Sequence, residues 1–234
     1  MNKNHIDQEE LKMLLAIKNV LNDDQLKVIR KLLESGDFVD GKLSAGKEAE
    51  QVKNNQELAQ KSPLHDQINQ MVMPALLQNS EYQAFAFPLK VATPFYARYT
   101  KGMTYGFHVD DPIMGPMHGR YRTDISTSVF LNDDYEGGEL AIKTAYGEQR
   151  IKLNAGDAVV YPSTSLHQVD EVTKGERLVA VIWAQSMVKD PQKRELIYEL
   201  GQAREKLIDE RADAEETAHV SNVYSNLVRR WSEL

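Results

Sequence analysis

The 234-residue chain has no cysteine. Disulfides, thiolate metal sites and a cysteine nucleophile are excluded together. It also lacks a basic surplus: 28 Lys and Arg stand against 35 Asp and Glu, a formal net charge of −7. With nothing to spare for neutralising phosphates, neither nucleic acid nor an anionic membrane is expected as a general partner, although a local basic patch is compatible with these totals. Long apolar runs are missing as well. The longest, LVAVIWA from Leu178 to Ala184, is far too short to cross a bilayer. The opening MNKNHIDQEELKM is polar where a signal peptide needs an apolar stretch. The expected location is cytoplasmic. Gly and Pro, 13 and 8 residues, are not in excess, and no internal repeat or low-complexity segment is found.

What remains is a globular composition, 41% hydrophobic and 27% charged, in a chain long enough for one β-rich domain with a helical appendage. Its texture changes twice. In residues 1–84, Met13–Leu21 reads as a strand or a buried helical turn. Asn22 or Asp23 then caps a helix carrying Leu26, Ile29, Leu32 and Leu33 before Gly36. Residues 36–62 are polar, and Leu64–Leu77 is helical, with Pro74 expected to disturb its last turn. This region is expected to pack on a core formed by residues 85–188. There, β-favouring pieces recur (FAFPLKVATPFYARYT, DISTSVFLN, GGELAIKT, QRIKLNAGDAVVYP, RLVAVIWAQS), with NDDYEGG, NAGD and TKGE as turns. Such spacing predicts a sandwich or barrel, not βαβ units. Residues 189–234 form a helical segment, with apolar stripes at Leu196, Leu200, Ala203 and Leu207, then Val220, Val223, Leu227 and Trp231, expected to pack on the domain.

Two segments of the core carry chemistry. In GFHVDDP (Gly106–Pro112), strand alternation puts His108 and Asp110 on one face, with Val109 and Asp111 on the other. Alone, His-x-Asp is a weak signal, and a surface strand end explains it. The second segment, YPSTSLHQVDEV, places His167 just past a Pro-Ser turn, opening an alternation of His167, Val169 and Glu171 against Gln168, Asp170 and Val172. Two histidines and a carboxylate on one face of an octahedron leave three positions open, which suits non-haem Fe(II) and oxygen chemistry. Ten residues on, Arg177 starts the most apolar strand of the chain. A guanidinium there needs a carboxylate, and an acidic cosubstrate could supply one in a bidentate pairing.

His108-x-Asp110, the distal His167 and Arg177 resemble the Fe(II)- and 2-oxoglutarate-dependent dioxygenases of the prolyl 4-hydroxylase-like group. RYTKGMTYGFHVD, TSVFLNDDYEGGEL and NAGDAVVYPSTSLHQV agree. DFVDGKLSAGKEAEQVKNNQEL and the helical tail look like the bacterial PKHD-type (PiuC/YbiX-like) hydroxylases, so the resemblance spans nearly the whole chain. It implies a mainly β fold with flanking helices, a double-stranded β-helix (jelly roll) plus a C-terminal helical segment. His108, Asp110 and His167 would hold Fe(II), Arg177 would grip the far carboxylate of 2-oxoglutarate, and Tyr99 would offer it a phenol, with Tyr96 and Tyr105 as alternatives. The implied reaction hydroxylates an unidentified small-molecule or peptidyl substrate and releases succinate and CO2, with L-ascorbate keeping the iron reduced. Collagen-type prolyl hydroxylases usually carry Lys where this chain has Arg177, so a proline substrate does not follow from the resemblance. Oligomeric state is left open, a homo-oligomer included.

Other residues read more plainly. Asp111 is a solvated strand-end acid that could also orient a substrate amine. His118 lies in the Gly/Pro loop from Asp111 to Arg122, expected to cover the metal mouth. Arg122 and Asp124 either support the site or belong to the surface. Trp183 reads first as a core residue, although it shares parity with Arg177. His5, His65 and His219 are assigned nothing. Two other function classes use the same fold: a cupin-like metal enzyme, which has no need of Arg177, and a non-catalytic sensor, in which loss of one of the four site residues is expected.

Overall fold

The computed structural model describes residues 14–144 and 147–234. The polar stretch 1–13, with His5, lies outside them. The β-favouring pieces pair into two antiparallel sheets. The larger runs β1 (Leu15–Ile17), β14 (Ala158–Pro162), β10 (Ile125–Phe130), β17 (Glu176–Ser186), β6 (Phe95–Thr100), β4 (Gln56–Leu58), β2 (Phe38–Asp40), and β5 (Pro88–Val91) also pairs with β17. The smaller runs β13 (Gly147–Ile151), β12 (Leu140–Thr144), β15 (His167–Val169), β7 (Thr104–His108), β3 (Lys53–Asn54). Two short pairs complete the β structure, β11 (Glu136–Gly137) with β16 (Val172–Lys174) and β8 (Ile113–Met114) with β9 (Tyr121–Arg122). Neighbouring strands are mostly distant in sequence because the chain alternates between the sheets. This is the jelly roll.

The apolar run in β17 is continuous because both faces of that strand are covered. Leu178, Ala180, Ile182 and Ala184 pack towards α1 (Asp23–Glu34) and α2 (Leu64–Leu77). Val179 and Val181 face the space between the sheets, with Tyr99, Tyr161, Leu140 and Val169. Helix α1 begins at a capping box: the Asn22 side chain accepts from Gln25 N, and Gln25 Oε1 accepts from Asn22 N. Of the ambiguous stretch Met13–Leu21, in which Met13 lies outside the described residues, Leu15–Ile17 is strand β1. The N-terminal region is woven into the β structure, since β1, β2 and β4 belong to the larger sheet and β3 to the smaller. Segment 53–58 therefore crosses from one sheet to the other.

Five local expectations are corrected. FAFPLKV does not start as a strand: Ser80–Ala86 is a helix, α3, capped by Asn79 and ended by Phe87 at φ 45°. Its Tyr82, Phe85 and Ala86 fall at helical spacing into the core, and that packing prevails over β propensity. Pro74 does not break α2, which runs to Leu77; Gln70, whose carbonyl loses a donor, is exposed to water. In α4 (Pro191–Arg211) the packed face is not the leucine stripe. Leu196 is 55% exposed, while Ile197 is buried and Arg194, also buried, donates to Val188 O at 2.6 Å, which fixes the helix rotation. Helix α5 (Glu215–Trp231) packs through Tyr224, Leu227, Val228 and Trp231, with Val223 left exposed. Beyond β15 the alternation slips, so that Val172 is buried and Glu171 exposed.

Asp124 is a structural anchor. Its carboxylate accepts from Arg122 Nε (2.7 Å) and from Ser186 N (2.9 Å), tying the start of β10 to the end of β17. Asp124→Ala removes two charge-assisted bonds from a buried position and is expected to lower unfolding stability by roughly 2–3 kcal/mol in urea titrations.

Candidate metal and cosubstrate site

Strands β7 and β15 are neighbours, and their register sets His108 directly opposite His167. The rings lie 4.3 Å apart between centroids, tilted by 51°. Each Nδ1 faces a backbone carbonyl two residues upstream, Gly106 O at 2.8 Å for His108 and Ser165 O at 2.9 Å for His167. A proton on Nδ1 is held there, and both Nε2 atoms are free as acceptors. Strand β7 ends at His108, so Asp110 lies just past the strand, not within it. It still reaches the same face: Asp110 Oδ1 is 3.9 Å from each Nε2. The three ligand atoms lie within 4.8 Å of one another, a set that could hold one metal ion. Burial, ahead of the neighbouring His167, holds His108 down to about 4, so its imidazole stays neutral near pH 7.

The carboxylate is itself held. Ser126 Oγ donates to Asp110 Oδ2 at 2.5 Å and shares a 2.7 Å bond with Ser163 Oγ. One oxygen is thereby occupied and the other turned towards the histidines. Ser126, on β10, and Ser163, in the turn after β14, escaped the sequence reading because isolated serines carry no motif. Around the histidines, Tyr105 stacks on His108 (3.6 Å, 12°) and Tyr161 meets His167 edge-on (5.2 Å, 67°).

Across the sandwich, Arg177 is 1% exposed, and among the described residues no carboxylate pairs with it. Its Nε has no partner, and its guanidinium carbon is 5.1 Å from the Tyr99 ring centroid and 5.6 Å from that of Phe130. Arg177 and Tyr99 are register partners on β17 and β6. Two features make room for this cation. A Cβ on Gly138, at φ +68°, would come within 3.2 Å of Arg177 Cδ. Asn132 brackets the arginine backbone: its Nδ2 donates to Glu176 O and its Oδ1 accepts from Leu178 N, both at 2.7 Å. Asn132 had seemed mere turn material in NDDYEGG.

One cavity of about 820 Å³, counting its open mouth, reaches both centres. His108, Asp110, His167, Arg177, Tyr99 and Trp183 all line it. Trp183 is thus a pocket wall, with a buried, unpartnered Nε1. Segment 53–57 contributes Lys53, Asn55 and Glu57, which the sequence reading missed. Lys53 Nζ is 2.6 Å from Glu57 Oε1 and also donates to Ser44 Oγ. Burial pushes the Tyr99 hydroxyl up to about 12, against the opposing pull of Arg177, so it is a neutral donor. Tyr105 also lines the cavity, whereas Tyr96 bonds Asn69 on the helical side. The segment from Asp111 to Arg122 is a short hairpin with a 3-10 turn. Met114 lines the cavity, and Met117 and His118 are exposed outside it.

A jelly roll with a His-x-Asp…His cluster and an unpaired arginine in one pocket is the architecture of the Fe(II)/2-oxoglutarate oxygenases. Residues 94–185 match the 2OG-Fe(II) oxygenase superfamily, and residues 191–233 match the PKHD-type hydroxylase C-terminal domain. A PKHD-type hydroxylase of Thioalkalivibrio sulfidiphilus is 50% identical over 224 residues, covering 95% of this chain and 100% of the relative; one from Stenotrophomonas maltophilia is 44% identical over 225, with the same coverage. The chain belongs to the PKHD-type hydroxylases and is a 2-oxoglutarate-dependent hydroxylase. In fold it is similar to a Pseudomonas putida prolyl-4-hydroxylase (TM-score 0.52, 19% identity, 76% of this chain and 96% of that one). It is also similar to HygX of Streptomyces hygroscopicus, solved with nickel, 2-oxoglutarate and hygromycin B (TM-score 0.54, 14% identity, 79% and 89%).

If the three converging side chains form the metal site, Asp110→Ala is expected to weaken Fe(II) or Co(II) binding by more than about a hundredfold in anaerobic titrations. Ser126→Ala, which frees the carboxylate without removing it, should cost about tenfold. Equal affinities in wild type and Asp110→Ala would place the metal elsewhere.

Proposed function

We propose that this hydroxylase holds Fe(II) through Nε2 of His108, Nε2 of His167 and Oδ1 of Asp110, and that 2-oxoglutarate spans from the metal to Arg177. The observation that carries this reading is the Arg177 guanidinium, buried in the cavity that the histidines line and, among the described residues, in no ion pair with a carboxylate. A buried cation is costly unless it is paired, and a dicarboxylate cosubstrate supplies the missing acid. Bound together, Fe(II) and 2-oxoglutarate supply the oxidising power: 2-oxoglutarate and O2 give succinate and CO2, one oxygen atom entering succinate and the other the substrate C–H bond.

The chain's own groups bind and orient. Arg177 offers a planar fork to the distal carboxylate, and the neutral Tyr99 hydroxyl can donate beside it. The Nδ1 contacts of the two histidines fix their tautomers, and Ser126 fixes the Asp110 rotamer. Phe95, Trp183 and Val181 form an apolar wall that limits water near the metal. The substrate, a small molecule or a peptidyl group, enters at the mouth beside Met114 and the hairpin. L-Ascorbate serves as reductant for the iron, and the protein works in the cytoplasm. A cupin-like enzyme that does not use 2-oxoglutarate would leave the buried guanidinium without a purpose.

Arg177→Met is expected to raise the 2-oxoglutarate concentration needed for half-maximal succinate formation by at least about tenfold, since a charge-assisted contact is worth about 1.5–3 kcal/mol. Arg177→Lys should be milder, because an ammonium keeps the charge but not the fork. Metal affinity should hold in both. Normal 2-oxoglutarate saturation in Arg177→Met would refute the anchor.

A further inference from the structure

The charges lining the cavity do not all find partners. Besides the two histidines they are Lys53, Glu57, Asp110, Asp111 and Arg177. Lys53 and Glu57 neutralise each other at 2.6 Å. On the reading proposed above, a divalent metal and a doubly charged cosubstrate cancel, while Asp110 on the metal and Arg177 on the distal carboxylate cancel in turn. One group is left over. Asp111 has no ion-pair partner among the described residues, and it stands at the open end of the cavity.

The backbone of this acid is anchored. Its backbone carbonyl accepts from Thr123 Oγ1 at 2.5 Å. Its carboxylate lies over the Cα of Gly46, where a Cβ would come within 2.8 and 2.9 Å of the two oxygens. Only glycine at 46 leaves room for that position. The acid is flanked by aliphatic surface: Val109 and Met114 line the same cavity, Val109 being 48% exposed.

We infer that Asp111 receives a positively charged nitrogen of the primary substrate, which is therefore an aliphatic amine or guanidine whose hydrocarbon part lies along Val109 and Met114. An unpaired acid beside an apolar wall favours an amphipathic cation over its neutral or anionic counterpart, since an anion would meet uncompensated repulsion there. The acid follows Asp110 directly in sequence, so the carbon brought to the metal lies a few bonds from the charged nitrogen. Asp111 is a specificity residue in this account and makes no contact with the metal.

The test uses the full chain loaded anaerobically with Fe(II) and 2-oxoglutarate and titrated with three probes of one length: hexylamine, hexanol and hexanoate. Binding is read by calorimetry and by perturbation of the metal–keto-acid absorption band. Hexylamine is expected to bind at least about tenfold more tightly than hexanol, with hexanoate weakest and the preference shrinking as salt is raised. Asp111→Asn should bring amine and alcohol to within about twofold of each other, and Asp111→Glu should keep part of the preference. Gly46→Ala, which displaces the carboxylate, should weaken the amine alone. Hexanol binding as well as hexylamine in the wild type, no probe binding at all, or an intact preference in Asp111→Asn would overturn the inference. If the absorption band itself fails to form with 2-oxoglutarate, it is the underlying functional reading that has failed.

Discussion

A guanidinium that is 1% exposed and, among the described residues, lacks an acidic partner is the feature on which the rest of the molecule turns. Most proteins either pair such a charge or leave it in water, because the desolvation cost of an unpaired one runs to several kcal/mol. Here the fold sustains it. Asn132 bonds the backbone on both sides of Arg177, Gly138 yields space to its Cδ, and the faces of Tyr99 and Phe130 lie beside it. None of these contacts neutralises the charge. On the reading proposed above, the guanidinium is thereby available to a carboxylate of the cosubstrate.

The two-sheet architecture brings that cation and the histidines to one cavity. Arg177 sits on a central strand of the larger sheet, while the histidines sit on adjacent strands of the smaller one, and the cavity between them reaches both. Antiparallel register alone places His108 opposite His167. Asp110 needs more help, because it lies beyond the strand end, and the bond from Ser126, on the larger sheet, turns its carboxylate inward. That bond also links the sheets at the metal end. Segment 53–57 does the same on another side, crossing between the sheets with the Lys53–Glu57 pair buried on it. The site is thus assembled from both sheets and the segment that crosses between them, with the hairpin at the mouth as its exposed border.

Much of this was legible in the sequence, and the reasons are specific. The alternation in RLVAVIWA put Arg177, Val179, Val181 and Trp183 on one face, and the cavity and inter-sheet core bear that parity out. His108 and Asp110 were matched by a strand argument that holds for the histidine alone, since the strand has ended by Asp110 and the approach depends on Ser126. Groups that act through hydrogen bonds rather than through a motif escaped notice: Ser126, Ser163, Asn132 and the polar residues of segment 53–57 have no spacing that marks them. In α4 the leucine periodicity pointed to the wrong face, because the buried Arg194 and its bond to Val188 O decide the rotation. Phe85 and Ala86 favoured a strand locally, yet the core takes them on a helix.

On the proposed reading, a metal and 2-oxoglutarate share this pocket, one end of the cosubstrate on the metal and the other at Arg177. The most direct measurement is an anaerobic titration of the Fe(II)-loaded protein with 2-oxoglutarate, following the metal–keto-acid absorption band. The account predicts a band that saturates at one equivalent per chain and that 2-oxobutyrate, which has the keto acid but no distal carboxylate, produces only at much higher concentration. Equal titration by the two keto acids, or metal binding with no band at all, would contradict it.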